Sequence, residues 1–114
     1  MENVIVEKSK SFALRIIKLY KHLDANYRIG TIATQLLKSG TSIGANVKEA
    51  IRAQSKADFY AKLNISLKEA SETEYWLELL YESEYITKEQ FESIYNDCQE
   101  LLKILTAITK TQNK

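Results

Sequence analysis

The chain has 114 residues, 45% of them hydrophobic and 27% charged, with a formal net charge of +1. It contains no proline, three glycines and one cysteine, a composition that favours long helices over a sheet and excludes an internal disulfide. The first residues lack a signal-peptide pattern, and no apolar run approaches the roughly 20 residues that span a bilayer. We therefore predict one all-α domain over residues 1–114, without a membrane segment, in the reducing cytoplasm.

The first two segments have helical hydrophobic periodicity and are separated by the polar stretch 24–30. The first apolar stripe is made of Ile5, Phe12, Ile16, Leu19 and Leu23. The second is made of Ile32, Leu36, Ile43, Val47 and Ala50, and its helix is expected to end near residue 53.

Two capping motifs mark the start of the third and fourth helices. Ser55 with Asp58 approximates a capping box, and Thr87 with Gln90 matches one. The third stripe contains Phe59, Leu63, Leu67, Ala70, Leu77 and Leu80, and the fourth Phe91, Ile94, Cys98, Leu101, Leu105 and Ile108. Helices of similar length joined by short links favour antiparallel neighbours, so we predict an up-down-up-down four-helix bundle. The polar tail 109–114 is expected to fray.

No constellation of catalytic, cofactor-binding or metal-binding residues emerges from the sequence. A di-iron bundle needs Glu-x-x-His motifs, but Leu19 stands three residues before His22, the one histidine. Cys98 falls on an apolar stripe, where cysteine usually acts as a small hydrophobe. Gly40 and Gly44 fit neither the P-loop nor the dinucleotide-binding pattern. We therefore predict no enzyme activity, no cofactor and no metal.

The stretch from Leu36 to Ala50 is unusual because two glycines interrupt a strong helix pattern. Interior glycines cost about 1 kcal/mol each relative to alanine, so we interpret them as positions of close approach, with Trp76, Tyr75 and Tyr60 as the expected partners. Polar side chains follow the opposite flank and suggest hydrogen bonds inside the bundle or between subunits. This predicted structural or subunit-contact seam consists of Ser39, Gly40, Ser42, Gly44, Asn46 and Glu49.

Charge is distributed unevenly along the chain. Through residue 68 there are 12 Lys and Arg against 5 Asp and Glu, and from residue 69 onward 4 against 10. Such a division can direct a polyanion to one face, or pair basic and acidic elements within or between subunits.

The second and third segments together resemble the bacterial four-helix-bundle proteins encoded by intervening sequences within 23S ribosomal RNA genes. The second-helix motif corresponds to Ser42, Ile43, Asn46, Val47, Glu49 and Ala50. The third-helix motif corresponds to Phe59, Leu63, Leu67, Ala70, Glu74 and Leu77. The resemblance implies an antiparallel bundle that assembles into a ring-like homopentamer. The family is also similar to the accessory protein of diversity-generating retroelements, which binds nucleic acid and a reverse transcriptase. No catalytic residues come with this family.

The sequence thus leads to a non-enzymatic homo-oligomer that binds structured RNA or another nucleic acid by backbone charge. The residues predicted to form the basic surface are Lys8, Lys10, Arg15, Lys18, Lys21, Lys38, Lys48, Arg52 and Lys56. The alternative is a protein-binding scaffold or accessory subunit without nucleic-acid affinity, in which basic and acidic halves pair between subunits.

Overall fold

A computed structural model describes residues 2–113, and its four long helices confirm the predicted all-α bundle. Helix α1 spans Glu2–Asn26, α2 spans Gly30–Ile51, α3 spans Lys56–Glu82 and α4 spans Lys88–Thr109. The described part of the chain measures 45 × 21 × 19 Å, the proportions expected when helices of 22 to 27 residues lie side by side.

The helices occupy the corners of a square in chain order, with α1 packed on α2 and α4, and α3 packed on α2 and α4. Side-chain contacts show that neighbours are antiparallel. On α1 and α4, Lys8 pairs with Glu100 while Arg15 pairs with the earlier residue Asp97. Helices α1 and α3 therefore lie at diagonal corners and run in the same direction.

The core fills the centre of the square with the residues that the periodicity predicts. The largest fully buried side chains include Phe12 and Ile16 from α1, Leu36 from α2 and Leu77 from α3. A few residues of the predicted stripes, such as Phe59, are partly buried at the edge of the core.

Both predicted caps are present. The Ser55 hydroxyl accepts a hydrogen bond from the backbone N–H of Asp58. Thr87 and Gln90 form the reciprocal capping box at the start of α4. Since caps satisfy backbone donors that the helix leaves unpaired, they fix where these two helices begin.

Helix α3 ends in a tight turn that was not predicted. The backbone N–H of Tyr85 donates to the Leu80 carbonyl and that of Glu84 donates to the Tyr81 carbonyl. This is the pattern of a Schellman motif, and it requires a left-handed residue just beyond the helix. Glu84 takes that conformation with φ of 65°, although it carries a side chain that disfavours it.

The expectation that the C-terminal tail frays is wrong for the described residues. Lys110–Asn113 forms a turn of 3₁₀ helix, and two tail residues contact α3. The Thr111 and Tyr60 hydroxyls hydrogen-bond at 2.5 Å, and Asn64 donates to the side chain of Gln112 at 3.3 Å. The polar composition of the tail suggested fraying because the residues that bind it lie on α3, far away in sequence, and are not visible in the tail itself. Residue 114 lies outside the described residues.

Candidate nucleic-acid interface

The two glycines of α2 lie where α1 and α2 approach closely. A Cβ atom built on Gly40 would lie 2.7 Å from Cγ1 of Ile16, and one on Gly44 would lie 3.3 Å from the backbone carbonyl oxygen of Ser9. The prediction of close approach is therefore confirmed. The expected aromatic partners on α3 are wrong, because this flank of α2 faces α1 and its polar flank faces α3.

Ser39 carries the buried part of the predicted seam. Its side chain is 1% exposed, and its hydroxyl accepts a hydrogen bond from Thr73 on α3 at 2.9 Å. Ser39 also donates to the Leu36 carbonyl at 3.4 Å, while the Thr73 hydroxyl also lies 2.8 Å from the Glu69 carbonyl. Both hydroxyls are thus satisfied, as buried polar groups must be.

The polar side chains of Ser42, Asn46 and Glu49 lie nearer the surface than Ser39. Ser42 and Asn46 donate to carbonyls of their own helix, those of Lys38 and Ser42 respectively. Glu49 reaches α3 and pairs with Lys62 at 3.1 Å. Among the described residues, Ser39 and Glu49 are the members of the seam that bond to α3, and of these two contacts only the one at Ser39 is buried.

Sequence analysis missed the α3 residues that complete these contacts. Ser66 is fully buried and donates to the Ile43 carbonyl on α2 at 2.8 Å, and Thr73 is fully buried as well. A signal was present, because both residues fall on the buried face of α3 between Leu63 and Leu77 at helical spacing. A hydroxyl on a core stripe indicates a partner on the facing helix.

Beside Gly44, α1 and α2 border a groove of about 330 Å³. It is lined by small residues, among them Ala13, Gly44 and Ala45, and by Lys10 and Lys48. Both lysines are exposed. The close approach of the helices therefore brings two cations from different helices to one opening.

The outer face of α2 extends this basic surface along the bundle. Lys38 is exposed on α2, Arg52 is exposed just beyond its end, and Lys56 is exposed at the start of α3. Burial, and then the neighbouring Glu72, raises the pKa of the Glu69 carboxyl. Lys38 stands close enough to Glu69 to oppose this rise. The positive field is therefore partly offset at the Lys38 end.

The predicted basic residues of α1 divide into two groups. Lys8 pairs with Glu100 at 3.1 Å and Arg15 with Asp97 at 2.5 Å, so both lie against α4. Arg15 also donates to the side chain and carbonyl of Ser93. The second group is exposed and consists of Lys10, Lys18 and Lys21. Lys10 lies beside α2, whereas Lys18 lies beside the start of α4.

A second opening lies between α1 and the start of α4. This depression of about 410 Å³ has Arg15, Lys18 and His22 on its rim and the apolar residues Ile86 and Ile94 beneath them. His22 is exposed and its ring Nδ1 lies 3.3 Å from the side-chain amide of Asn26, the surface position expected from the sequence.

Cys98 is fully buried and its thiol donates a weak hydrogen bond to the Ala70 carbonyl at 3.4 Å. Burial raises the pKa of Cys98 to about 12, with Glu74 and other carboxylates adding to the rise. The thiol is therefore protonated at neutral pH and a poor nucleophile.

Across residues 2–113, no group of three or more His, Cys, Asp or Glu side chains is arranged to hold a metal ion. No helix in that range is long and apolar enough to cross a bilayer.

Comparisons with known proteins identify the fold's relatives. The chain is similar to a crystal structure of a protein of unknown function from the S23 ribosomal protein family of Bacteroides thetaiotaomicron, with 57% identity and a TM-score of 0.90. The match covers 96% of this chain and 97% of that one. No curated protein matches. Neither description names an enzymatic activity. A model of the 23S rRNA-intervening sequence proteins matches residues 1–107, and the chain therefore belongs to that family.

Proposed function

We propose that this protein is a non-enzymatic homo-oligomer that binds structured RNA or another nucleic acid through the basic surface of α1 and α2. One observation carries the proposal: the charges are sorted between the two sides of the bundle. Helices α1 and α2 together contain seven Lys and Arg against four Asp and Glu, whereas α3 and α4 contain five against ten. Two of the seven, Lys8 and Arg15, pair with α4. The other five are exposed on the neighbouring helices α1 and α2.

The surface suits a phosphate backbone better than a base edge. Lys10 and Lys48 line one groove together with small residues. Further cations are Lys38 on α2 and Arg52 just beyond its end. Lysine and arginine side chains supply charge to phosphates, while reading a base needs side chains fixed against its edge. Repetition of this surface around an oligomer would multiply weak contacts.

Salt dependence tests the electrostatic basis of binding. We expect a fluorescently labelled RNA hairpin to bind at low salt and to lose affinity steeply between about 50 and 200 mM salt, with a log–log slope of about −0.9 for each phosphate neutralised on a duplex. Fluorescence anisotropy measures this slope. No binding at the lowest salt would remove the proposal.

Charge reversal tests the location of the surface. The triple variant Lys38→Glu, Lys48→Glu and Arg52→Glu should abolish binding while the oligomer and the helical circular dichroism stay intact. A matched control reverses three exposed lysines on or beside α4, which changes net charge equally. The control residues are Lys88, Lys103 and Lys110.

The two variants separate local charge from total charge. If both lose RNA affinity equally, binding depends on total charge and the assigned surface is wrong. If the α2 triple variant falls apart into monomers, these cations hold subunits together, and a protein-binding scaffold becomes the better description.

A further inference from the structure

The depression between α1 and the start of α4, which we call the α1–α4 depression, adjoins a second one. The second has a volume of about 530 Å³ and lies at the end of the bundle where α1 ends and α4 begins. His22, Ile86 and Gln90 line both depressions, which therefore form one continuous surface. We call the second one the tyrosine depression, because it is lined by Tyr27, Tyr81 and Tyr85.

Two of these tyrosines meet edge to face. The ring centroids of Tyr27 and Tyr85 are 5.1 Å apart, with an interplanar angle of 82°. In this arrangement each ring has at least one face that the other does not cover, and Tyr27 is 40% exposed. Tyr81 differs, because Phe91 stacks on it with centroids 4.4 Å apart. Since every nucleobase has a π-face that stacks on an aromatic ring, Tyr27 offers a platform for a base.

Cations line both depressions. Lys18 lines the α1–α4 depression and Lys88 the tyrosine depression, and both are exposed. Among the residues whose side chains are described, neither lysine forms an ion pair, whereas Arg15 is paired with Asp97. The charges of Lys18 and Lys88 are therefore available to phosphate groups. Of the described residues that line the two depressions, Glu84 is the only carboxylate, and it opposes an anion there.

Gln90 places an oriented donor between the two depressions. Its side-chain carbonyl accepts the backbone N–H of Thr87 at 2.8 Å in the capping box, and this bond fixes the side chain. Because the bond uses the amide oxygen, the NH₂ group of Gln90 remains to donate to a ligand. The surface thus combines a platform for a base, charge for a phosphate and one oriented hydrogen-bond donor.

We propose that this surface binds an unpaired nucleotide, with its base stacked on Tyr27 and its phosphates near Lys18 and Lys88. A base inside a duplex is covered on both faces, so the nucleotide must come from a loop, a bulge or an end of a structured RNA. The inference rests on the nucleic-acid binding of the proposed function and names the part of the RNA that this end of the bundle takes. A free nucleotide offers the same chemistry, and the experiments below separate the two sources.

Removal of the loop bases tests the stacking. Two labelled RNA hairpins carry the same number of phosphates, one with a normal loop and one with abasic loop nucleotides. We expect the protein to bind the normal loop roughly 5- to 150-fold more tightly by fluorescence anisotropy, the range for stacking one base on an aromatic side chain. Equal affinities would overturn the inference and leave the proposed function in place, whereas no binding of either hairpin would remove both.

Tyrosine variants locate the base. Tyr27→Leu keeps an apolar side chain without an aromatic face and should abolish the preference for the normal loop, while Tyr27→Phe should retain it. The matched control is Tyr75→Leu, because Tyr75 is an exposed tyrosine outside both depressions, and its preference should equal that of the wild type. If Tyr27→Leu has wild-type circular dichroism and still prefers the normal loop, the base does not stack on Tyr27 and the inference is wrong.

Two further variants test the polar groups. Gln90→Glu keeps an acceptor for the capping box and should retain the wild-type melting temperature. It replaces the donor by a negative charge, so it should weaken binding of the normal hairpin by at least several-fold. Glu84→Gln removes the opposing carboxylate and should tighten the same binding. Wild-type affinity in both variants would show that the RNA does not reach this surface.

Competition with adenosine monophosphate separates the two sources of the nucleotide. An RNA loop also presents neighbouring phosphates to the basic surface, which a free nucleotide lacks. We therefore expect adenosine monophosphate to displace the hairpin only at concentrations far above the Kd of the hairpin. Displacement at concentrations similar to that Kd would identify a free nucleotide as the ligand and overturn the assignment to an RNA loop.

Discussion

Replacement of Gly40 by alanine tests whether the bundle depends on the close approach of α1 and α2. The new Cβ would lie 2.7 Å from Cγ1, 2.8 Å from Cγ2 and 3.1 Å from Cδ1 of Ile16. Ile16 is fully buried, and a β-branched side chain in a helix has essentially one accessible χ1 rotamer. It cannot turn aside, so α1 must move away from α2.

Two opposing terms set the size of the effect. Alanine is the better helix former by about 1 kcal/mol, while an overpacked core loses about 1–3 kcal/mol. With three contacts this short, the upper half of that range applies, and we expect a net loss of about 1–2 kcal/mol in unfolding free energy. The melting temperature should fall by roughly 4–6 °C for each kcal/mol lost.

Urea denaturation at fixed protein concentration measures this loss. Gly30→Ala is the matched control, because a Cβ at Gly30 meets nothing within 4 Å, and it should be neutral or slightly stabilising. If Gly40→Ala also proves neutral or stabilising, the close-contact explanation is wrong.

A double-mutant cycle identifies the atoms responsible. In an Ile16→Ala background all three clashing atoms are absent, so Gly40→Ala should become neutral or stabilising. In an Ile16→Val background Cγ1 and Cγ2 remain, and Gly40→Ala should stay destabilising. Equal effects in both backgrounds would mean that Ile16 does not mediate the loss.

Three further measurements test other features of the fold. Thr73→Val removes the donor to Ser39 inside the core and should reduce the unfolding free energy by about 1–2 kcal/mol, whereas Ser42→Ala, near the surface, should change it little in the same urea titration. Glu84→Gly should raise stability by about 1 kcal/mol, because glycine relieves the left-handed conformation of this residue; a melting temperature that does not rise would contradict this. Burial raises the pKa of Cys98 to about 12 from an ordinary 9.0, so this thiol should resist thiol reagents at pH 8 until the protein is unfolded. The contribution of Cys98 to the unfolding free energy should be full below pH 9 and disappear as pH rises from 9 towards 12. Cys98→Ala should reduce that loss.

Periodicity and capping residues predicted most of the fold, because each depends on neighbours within one or two helical turns. The box formed by Thr87 and Gln90 involves positions three apart, so the start of α4 can be read directly from the sequence. The turn after α3 could not be, since glutamate rarely occupies the left-handed position that Glu84 takes.

The site was predicted less completely because its geometry depends on which helix faces which. The glycine flank of α2 was recognised, but the sequence alone did not show that Ile16 and Ser9 of α1 would cover it. Similarly, nothing in the order of the residues shows that Lys8 and Arg15 lie beside acidic residues of α4. The excess of cations in the first half of the chain was visible, while their division between paired and outward positions needed the packed helices.

The buried hydroxyls between α2 and α3 have a consequence for how the chain finds its alignment. Apolar stripes alone would allow one helix to slide past the other by a turn of about 5.4 Å at modest loss of contact. Such a slip would break the hydrogen bond between Thr73 and Ser39. It would also separate the buried Ser66 hydroxyl from the Ile43 carbonyl on α2, at a cost in free energy for an unpaired polar group in the core. These two bonds therefore select one register among several that are otherwise similar in packing, as single polar residues do in coiled coils.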